Sequence, residues 1–308
     1  MPRPTISELD ALVASRHRDP HLLLGRHLED GKVVHRVMRP DARDLWIHQG
    51  DSSVRMALLH PGGVFELKRE GRDLPPPGGY QIELREQGEI RRYHDPYAFA
   101  PTVGDLDLHL VGEGKHHELY RVLGAHALAH QGVEGTSFSV WAPAARRVSV
   151  VGDFNGWDER THAMRYLGPG VWELFVPGLG PGALYKFAIL SASGEVVIKA
   201  DPLAREMELR PSTASRVTRS DYVWGDGDWL GRRKACEPAR EPMAVYEVHL
   251  GSWRHHPGER RHDGRPNWLS YREIAEQLVD YVADLGFTHV ELLPVMEHPF
   301  YGSWGYQT

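Results

Sequence analysis

Three glutamates lie on or just after two apolar segments near the end of the chain. Glu247 lies in residues 244–250, whereas Glu291 and Glu297 lie within and just after residues 288–295. Carboxyl groups at the ends of neighbouring strands can act as nucleophiles or proton donors. A catalytic site needs more strands than these two segments provide, so we interpret the three glutamates as ion-paired framework or rim residues.

Metal and redox chemistry find little support in the sequence. Among 19 histidines, the pairs His116, His117 and His255, His256 lack an H-E-x-x-H motif and Cys/His ligand spacing, so we predict no metal site. The single cysteine, Cys236, excludes an intrachain disulfide and favours a reducing cytoplasm.

Composition indicates a multidomain globular protein. The chain has 308 residues, of which 41% are hydrophobic and 25% charged, enough for two or three domains. Its net charge is -6 and its longest basic cluster is only residues 232–234, which argues against nucleic-acid binding. Residues 1–10 lack an apolar signal segment and no stretch approaches a membrane span, so we expect no membrane partner.

The predicted secondary structure changes from helix to strands along the first part of the chain. Apolar residues in 5–16 have helical spacing, with Thr5 or Ser7 placed to cap a helix that stops by Asp19-Pro20. Alternating apolar runs at 33–38, 45–48, 64–67 and 80–84, separated by Gly- and Pro-rich breaks, predict an antiparallel β-sandwich. We expect a short helix at 117–125 that ends at Gly124.

A second series of strands repeats the first at a nearly constant offset. Residues 37–43 parallel 140–146 at an offset of 103, Tyr80 parallels Tyr185 at 105, and Asp95-Pro96 parallels Asp201-Pro202 at 106. This regularity predicts two related β-sandwiches in tandem.

From residue 243 the pattern becomes strand, helix, strand. A capping box from Ser270 to Glu273 begins the helix and Gly286 ends it. Its predicted apolar face consists of Ile274, Leu278, Tyr281 and Leu285. Short connections indicate a βαβ unit with parallel strands, which need cover on both faces. One unit cannot provide that cover, so we expect the chain to stop inside a larger α/β domain.

Four segments carry a resemblance to a known family. Residues 19–27 (DPHLLLGRH), and residues 105–114 (DLDLHLVGEG) with 123–126 (LGAH), resemble the N-terminal module of bacterial glycogen branching enzymes and its bridge to the next module. Residues 150–157 (VVGDFNGW) resemble a family 48 carbohydrate-binding module. Residues 246–253 (YEVHLGSW) and 290–307 (containing MEHP and WGYQ) resemble the first two strands of a branching enzyme's family 13 glycosidase-type barrel.

This resemblance implies a fold class of two tandem all-β sandwiches followed by the beginning of a (β/α)8 TIM barrel. The expected boundaries are 1–104 for an N-terminal sandwich with a leading helix, 105–135 for a bridging segment with a short helix, 136–224 for the second sandwich, 225–242 for a linker and 243–308 for the start of the barrel.

The implied activity is that of a 1,4-α-glucan branching enzyme. In the family, a carboxylate attacks the anomeric carbon, a second carboxyl protonates the leaving oxygen, and a sugar 6-hydroxyl intercepts the glycosyl-enzyme. Both carboxyl groups are expected after Thr308, so we expect the segment alone to be inactive. The glucan itself is the glycosyl donor, so no cofactor is implied. The expected partners are glycogen, amylose and amylopectin, and we expect a monomer.

The resemblance also assigns substrate-binding residues to the barrel segment. It implies that Tyr306 stacks on the sugar beside the scissile bond and that Trp304 and Gln307 shape its loop. His298 either contacts substrate or makes a structural hydrogen bond. The alternative for Tyr306 is a tyrosine of the core.

In the second sandwich, Trp157 follows an Asn-Gly turn that we expect to expose its indole as a stacking platform, and we expect Lys186 to donate to sugar hydroxyls. The alternative is packing of Trp157 against Trp141 or Trp172. Glucan-binding relatives often have a second aromatic residue in the next hairpin, whereas residues 194–199 (GEVVIK) have none. Interdomain packing is therefore the rival use of this surface.

Two further functions stay open at the level of sequence. One is a non-catalytic glucan-binding or regulatory protein, if the chain truly ends at residue 308. The other is a hydrolase or trehalose-pathway relative with the same modules. Uncovered apolar strands would make a stand-alone chain prone to aggregation, which favours the branching enzyme over the first alternative.

Overall fold

The computed structural model describes residues 3–86, 89–209, 211–260, 266–296, 298 and 300–308. The chain divides into two compact units, Met1–Arg219 and Ser220–Thr308. No helix among the described residues is both long and apolar enough to cross a membrane.

The predicted leading helix is present and shorter than expected. Helix α1 spans Ile6–Val13, and Thr5 caps it through a capping box with Glu8. It buries Leu9 and Leu12 and ends well before Asp19-Pro20. The left-handed backbone of Ser15, with φ of 52°, turns the chain away from the helix axis.

Two four-stranded antiparallel sheets form the first sandwich, with orders β1-β2-β6-β5 and β4-β3-β7-β8. The strands are β1 Gly25–Glu29, β2 Lys32–Met38, β3 Leu45–Gln49, β4 Ser52–Arg55, β5 Ala57–His60, β6 Val64–Glu70, β7 Gln81–Glu86 and β8 Glu89–Tyr93. The central strand β2 is buried on both faces, and its Arg36 is ion-paired with Glu29 at 2.6 Å and Glu66 at 2.8 Å. Partners on the two neighbouring strands thus neutralise a charge inside the sheet.

The bridging segment differs from the prediction. Its helix is α2, Asp105–Gly112, whereas residues 119–121 form only a short 3₁₀ turn, so the helix predicted at 117–125 is wrong. Gly124 begins a strand and pairs with Ser139. Its positive φ of 103° turns the chain into that strand, a geometry that resembles a helix stop in sequence alone.

The second sandwich begins at Gly124 rather than at residue 136. Its sheets have the orders β12-β13-β10-β9 and β11-β14-β15, and β16 also pairs with β14. The strands are β9 Gly124–His130, β10 Val133–Trp141, β11 Arg147–Gly152, β12 Arg165–Gly168, β13 Val171–Pro177, β14 Leu184–Leu190, β15 Val196–Lys199 and β16 Ser215–Arg216.

A matching pair of buried side chains occurs in both sandwiches. The Tyr80 hydroxyl donates to Asp95 at 2.8 Å, and the Tyr185 hydroxyl donates to Asp201 at 2.6 Å. Each aspartate also accepts the backbone N–H of the residue two positions later, at 3.0 Å and 2.8 Å. Two of the three markers that predicted a tandem repeat are therefore the same hydrogen-bonded Tyr–Asp pair, present once in each sandwich.

The two sandwiches share buried contacts through β13. Side chains of Trp172 and Leu174 enter the core of the second sandwich, whereas Phe175 packs 4.9 Å from Phe99, ring centre to ring centre, within the cluster of the first. Glu173 lies on the same face of β13 as Phe175, and its buried carboxylate accepts from Arg165 Nε at 2.7 Å. Both faces of β13 are thus covered, which is unusual for a strand of an antiparallel sandwich.

The second unit contains a parallel strand pair covered by a helix. Its elements are α3 Gly227–Ala235, β17 Val245–Val248, α4 Leu250–Trp253, β18 His255–Arg260, β19 Pro266–Trp268, α5 Tyr271–Asp284 and β20 His289–Leu292. β17 and β20 pair in parallel, as predicted, and the predicted capping box begins α5. Helix α3 lies inside the range predicted as a linker.

The buried face of α5 differs slightly from the prediction. It consists of Ile274, Leu278 and Val282, spaced four residues apart, which pack against Val248. Tyr281 lies at the edge of this face with its ring 5.8 Å from that of Tyr246. Leu285 is the C-cap residue and is exposed, so its place on the predicted apolar face is wrong.

Candidate functional site

A loop at the end of β11 presents the first predicted site residue, Trp157. Asn155 organises the loop because its side chain accepts from Gly152 N at 3.0 Å and donates to Val150 O at 3.1 Å. Gly156 and Trp157 both have a left-handed backbone with φ of 61°. A non-glycine residue there costs about 1–3 kcal/mol, so the surrounding loop must hold Trp157 in place.

The indole of Trp157 is partly open to solvent. Trp157 is 37% exposed, and its indole Nε1 donates to Asp153 Oδ1 at 2.9 Å. The alternative packing partners are engaged elsewhere, since Trp172 donates to Ala142 O and Trp141 donates to Pro169 O. Among the described residues, the ring contacts of those two tryptophans do not include Trp157. Its geometry is thus compatible with a stacking platform.

Lys186 lies on β14 at the same end of the sheet. Tyr185 pairs with Gly152, where the Trp157 loop begins, and Lys186 is the next residue of the strand. The Lys186 ammonium donates to Thr213 Oγ1 at 2.7 Å. The structure therefore places both predicted residues near one sheet end and ties the ammonium to a neighbouring loop.

The hairpin that follows has an apolar edge instead of an aromatic residue. Strand β15 exposes Val196, Val197 and Ile198 at the edge of its sheet. Methyl groups offer a sugar no flat face for stacking, so these three side chains provide no stacking surface.

A cavity of about 510 Å³ lies in the second unit where its two parallel strands end. His249 directly follows β17, and Leu293 and Pro294 directly follow β20; all three line the cavity. Ligand sites of α/β sheets lie at this carboxyl edge of the strands. Of the predicted barrel residues, His298 and Trp304 line this cavity as well.

Trp304 packs against His249. Their ring centres lie 4.8 Å apart with an angle of 32° between the planes, and Ser252 Oγ lies 2.9 Å from His249 Nδ1. His298 Nδ1 lies 2.8 Å from the Met296 carbonyl oxygen, which is the structural hydrogen bond considered for it. His249 was not predicted as a site residue, although its position directly after an apolar strand was an available signal.

Tyr306 and Gln307 lie outside the cavity lining. Tyr306 is 68% exposed, and its backbone N–H donates to Ser303 O at 3.0 Å. Tyr306 is therefore not packed in the described core of this unit. Gln307 is also exposed.

The carboxylates considered first lie on the strands rather than at their ends. Glu247 and Glu291 are paired in the parallel register, and both are exposed. Tyr246 and Val248 pack towards α5, and side chains alternate along a strand, so Glu247 points away from that helix. Neither glutamate lines the cavity. Glu297 lies outside the described residues.

Within the described part of the chain, no three His, Cys, Asp or Glu side chains come close enough together to hold a metal ion.

Two segments of the first unit match known protein families. Residues 5–97 match the family described as alpha-1,4-glucan branching enzyme GlgB, N-terminal domain. Residues 122–204 match carbohydrate-binding module 48 (isoamylase N-terminal domain). A 1,4-alpha-glucan branching enzyme of Streptomyces coelicolor is 51% identical over 99% of this chain, and one of Frankia casuarinae is 50% identical over 97%.

The chain is homologous to the amino-terminal part of the 1,4-alpha-glucan branching enzymes. It spans 38% of the length of the Streptomyces relative and 36% of that of the Frankia relative. Each of the two Tyr–Asp pairs falls inside one matched module, Tyr80 with Asp95 in the branching-enzyme N-terminal domain and Tyr185 with Asp201 in module 48. The Trp157 loop and Lys186 lie within module 48.

Proposed function

We propose that this chain is the amino-terminal part of a longer enzyme that cleaves α-1,4-glucan and transfers the cleaved chain to a sugar 6-hydroxyl. The observation that carries the proposal is the identity of about half of all residues, over nearly the whole chain, with relatives named as branching enzymes. The substrates would be glycogen, amylose and amylopectin. A cytoplasmic location and a monomeric state remain predictions from the sequence.

The second unit, in this proposal, is the start of a (β/α)8 barrel. Its parallel strands and the cavity at their carboxyl edge support this assignment. Val290 and Leu292 share a face with Tyr246 and Val248 but remain 40% and 46% exposed. In a barrel, the helix after the second strand would cover them.

The chemistry would be a retaining double displacement by two carboxyl groups about 5 Å apart. We propose that both groups come from barrel strands outside residues 1–308. Residues of this chain would bind the substrate at the rim: Tyr306 by stacking on a sugar ring, with Trp304, Gln307 and His298 shaping the loop around it.

The test is the product formed by the protein that contains this chain. Purified from its source, it should lower the iodine absorbance of amylose and create α-1,6 linkages, visible in the anomeric region of the proton NMR spectrum. Reducing ends should stay nearly constant. A matching rise in reducing ends would instead identify a hydrolase. An intact mass equal to the 34.8 kDa of this chain, with no activity, would favour the non-catalytic glucan-binding protein.

We also propose that module 48 binds α-glucan through Trp157. Trp157→Ala should increase the mobility of the chain in amylopectin affinity gels severalfold towards that in plain gels, because the stacking surface is lost. Trp141→Ala is the matched control, since Trp141 is also an exposed tryptophan of this sandwich. Equal retardation of Trp157→Ala and the wild-type chain would remove Trp157 from the binding surface.

A further inference from the structure

A cleft of about 800 Å³ lies between the two sandwiches of the first unit, with lining residues from both. One wall comes from the first sandwich and includes Arg39, Arg91 and Arg92. The other wall comes from the Trp157 loop of the second sandwich and includes Asp153 and Asp158. This volume lies in the range of ligand pockets in proteins, and no role assigned so far uses it.

The charges of the two walls argue against an anionic ligand. Arg92 Nε donates to Glu83 at 2.8 Å, and Arg91 Nη2 donates to Glu89 at 3.1 Å. On the opposite wall, Asp158 is paired with Arg160 at 2.7 Å, whereas the charge of Asp153 would repel an added phosphate or carboxylate. The cleft is instead an array of hydrogen-bonding groups of both signs.

Such an array suits a neutral ligand that is rich in hydroxyl groups. An arginine has five N–H donors and a carboxylate about four acceptor sites, so each can hold a hydroxyl in addition to its present partner. His162, which also lines the cleft, adds an uncharged polar group. Burial and the nearby Arg39 lower its pKa to about 3, and Asn155 Nδ2 lies 3.1 Å from its Nδ1, which leaves the ring hydrogen on Nε2.

The cleft is continuous with the stacking platform through one side chain. Asp153 accepts the indole N–H of Trp157 and also lines the cleft. A glucan chain that stacks on Trp157 would therefore have the cleft beside it. We propose that the cleft between the sandwiches binds the continuation of an α-1,4-glucan chain held at Trp157. This inference rests on the proposed glucan binding by module 48.

The decisive observable is how affinity depends on chain length. Maltotriose would occupy little more than the platform, whereas maltoheptaose would reach into the cleft. Isothermal titration calorimetry of the full 308-residue chain should give at least about tenfold tighter binding of maltoheptaose, the equivalent of one or two net hydrogen bonds. Equal affinities for the two sugars would overturn the inference.

Variants separate the cleft from the platform. Arg39→Ala and Arg91→Ala should each remove about threefold or more of the gain with chain length while leaving maltotriose binding unchanged. The Arg91 side chain is 71% exposed, so its removal should not affect folding. Arg55→Ala is the matched control, because Arg55 is another exposed arginine paired with a carboxylate, Asp44, and it does not line the cleft.

The outcomes distinguish this inference from the function on which it rests. If Trp157→Ala weakens binding of both sugars but the cleft variants retain the gain with length, the platform stands and the cleft proposal fails. If the wild-type chain binds neither sugar, both fail. Displacement of maltoheptaose by inorganic phosphate through the cleft arginines would overturn the assignment of a neutral ligand.

Discussion

The buried carboxyl group of Asp95 should make the free energy of unfolding depend on pH. Asp95 is 1% exposed and accepts hydrogen bonds from the Tyr80 hydroxyl and the Tyr97 backbone N–H. Burial raises its pKa from 3.8 to about 6, although both hydrogen bonds oppose the shift. The perturbation that tests this is Asp95→Asn, which removes the titration. The amide oxygen can accept from Tyr97 N–H while its NH₂ donates to the Tyr80 oxygen.

The sign of the effect follows from proton binding in the two states. The folded protein binds a proton at Asp95 more tightly than the unfolded chain does. The stabilisation by protonated Asp95 is therefore fully present below pH 3.8 and is lost as pH rises through about 6. At 1.36 kcal/mol per pKa unit, a shift of roughly two units amounts to about 3 kcal/mol, of which about 2 kcal/mol is lost between about pH 4 and pH 7.

The assay is urea unfolding of both proteins, followed by tryptophan fluorescence, at about pH 4 and pH 7. The free energy of unfolding of Asp95→Asn, minus that of the wild-type chain, should rise by about 2 kcal/mol from the lower to the higher pH. Buried histidines such as His35 and His162 titrate in both proteins and cancel in the difference. Asp51→Asn, in an exposed turn, controls for the substitution itself. A stability difference that does not change with pH would refute the reasoning.

Three other substitutions test the packing and the site. Glu173→Ala leaves the Arg165 guanidinium buried and unpaired and should lower the free energy of unfolding by about 3–5 kcal/mol, measured in urea; a loss below about 1 kcal/mol would contradict the buried pair. Gly25→Ala should lower the melting temperature more than Gly124→Ala, because its Cβ would lie 2.4 Å rather than 3.4 Å from a backbone oxygen; equal losses would contradict this geometry. Tyr306→Ala, in the proposed longer enzyme, should strongly reduce the branching rate with an unchanged circular dichroism spectrum. A near-normal rate would mean that Tyr306 has only a structural role.

Elements set by local sequence were predicted well. The capping box at Ser270, the helix cap predicted at Thr5 or Ser7 and found at Thr5, and the alternating strands depend on residues a few positions apart, which the sequence displays directly. The helix at 117–125 was mispredicted because Gly124 has the positive φ that also ends helices. The buried Arg36 was not predicted, since its partners Glu29 and Glu66 come from other strands.

The candidate sites followed the same division. The exposure of Trp157 was predicted because it depends on the turn directly before it. The pairing of His249 with Trp304, 55 residues later, depends on the path of the chain through the second unit. The cleft between the sandwiches could not be predicted from the sequence. Its walls come from residues 39–96 and 153–179, which meet only in the folded unit.

Phe175 has an evolutionary consequence. Its ring leaves the core of its own sandwich and enters the cluster of the first, where it lies beside Phe99 and His130. A descendant that lost the first sandwich by gene deletion would carry a bare aromatic ring in the middle of a sheet face, with Glu173 and Arg165 beside it. We therefore expect homologues that lack the N-terminal module to have a polar residue at the position of Phe175. The two sandwiches are coupled through this face of β13, so we expect loss of one to select for a change in the other.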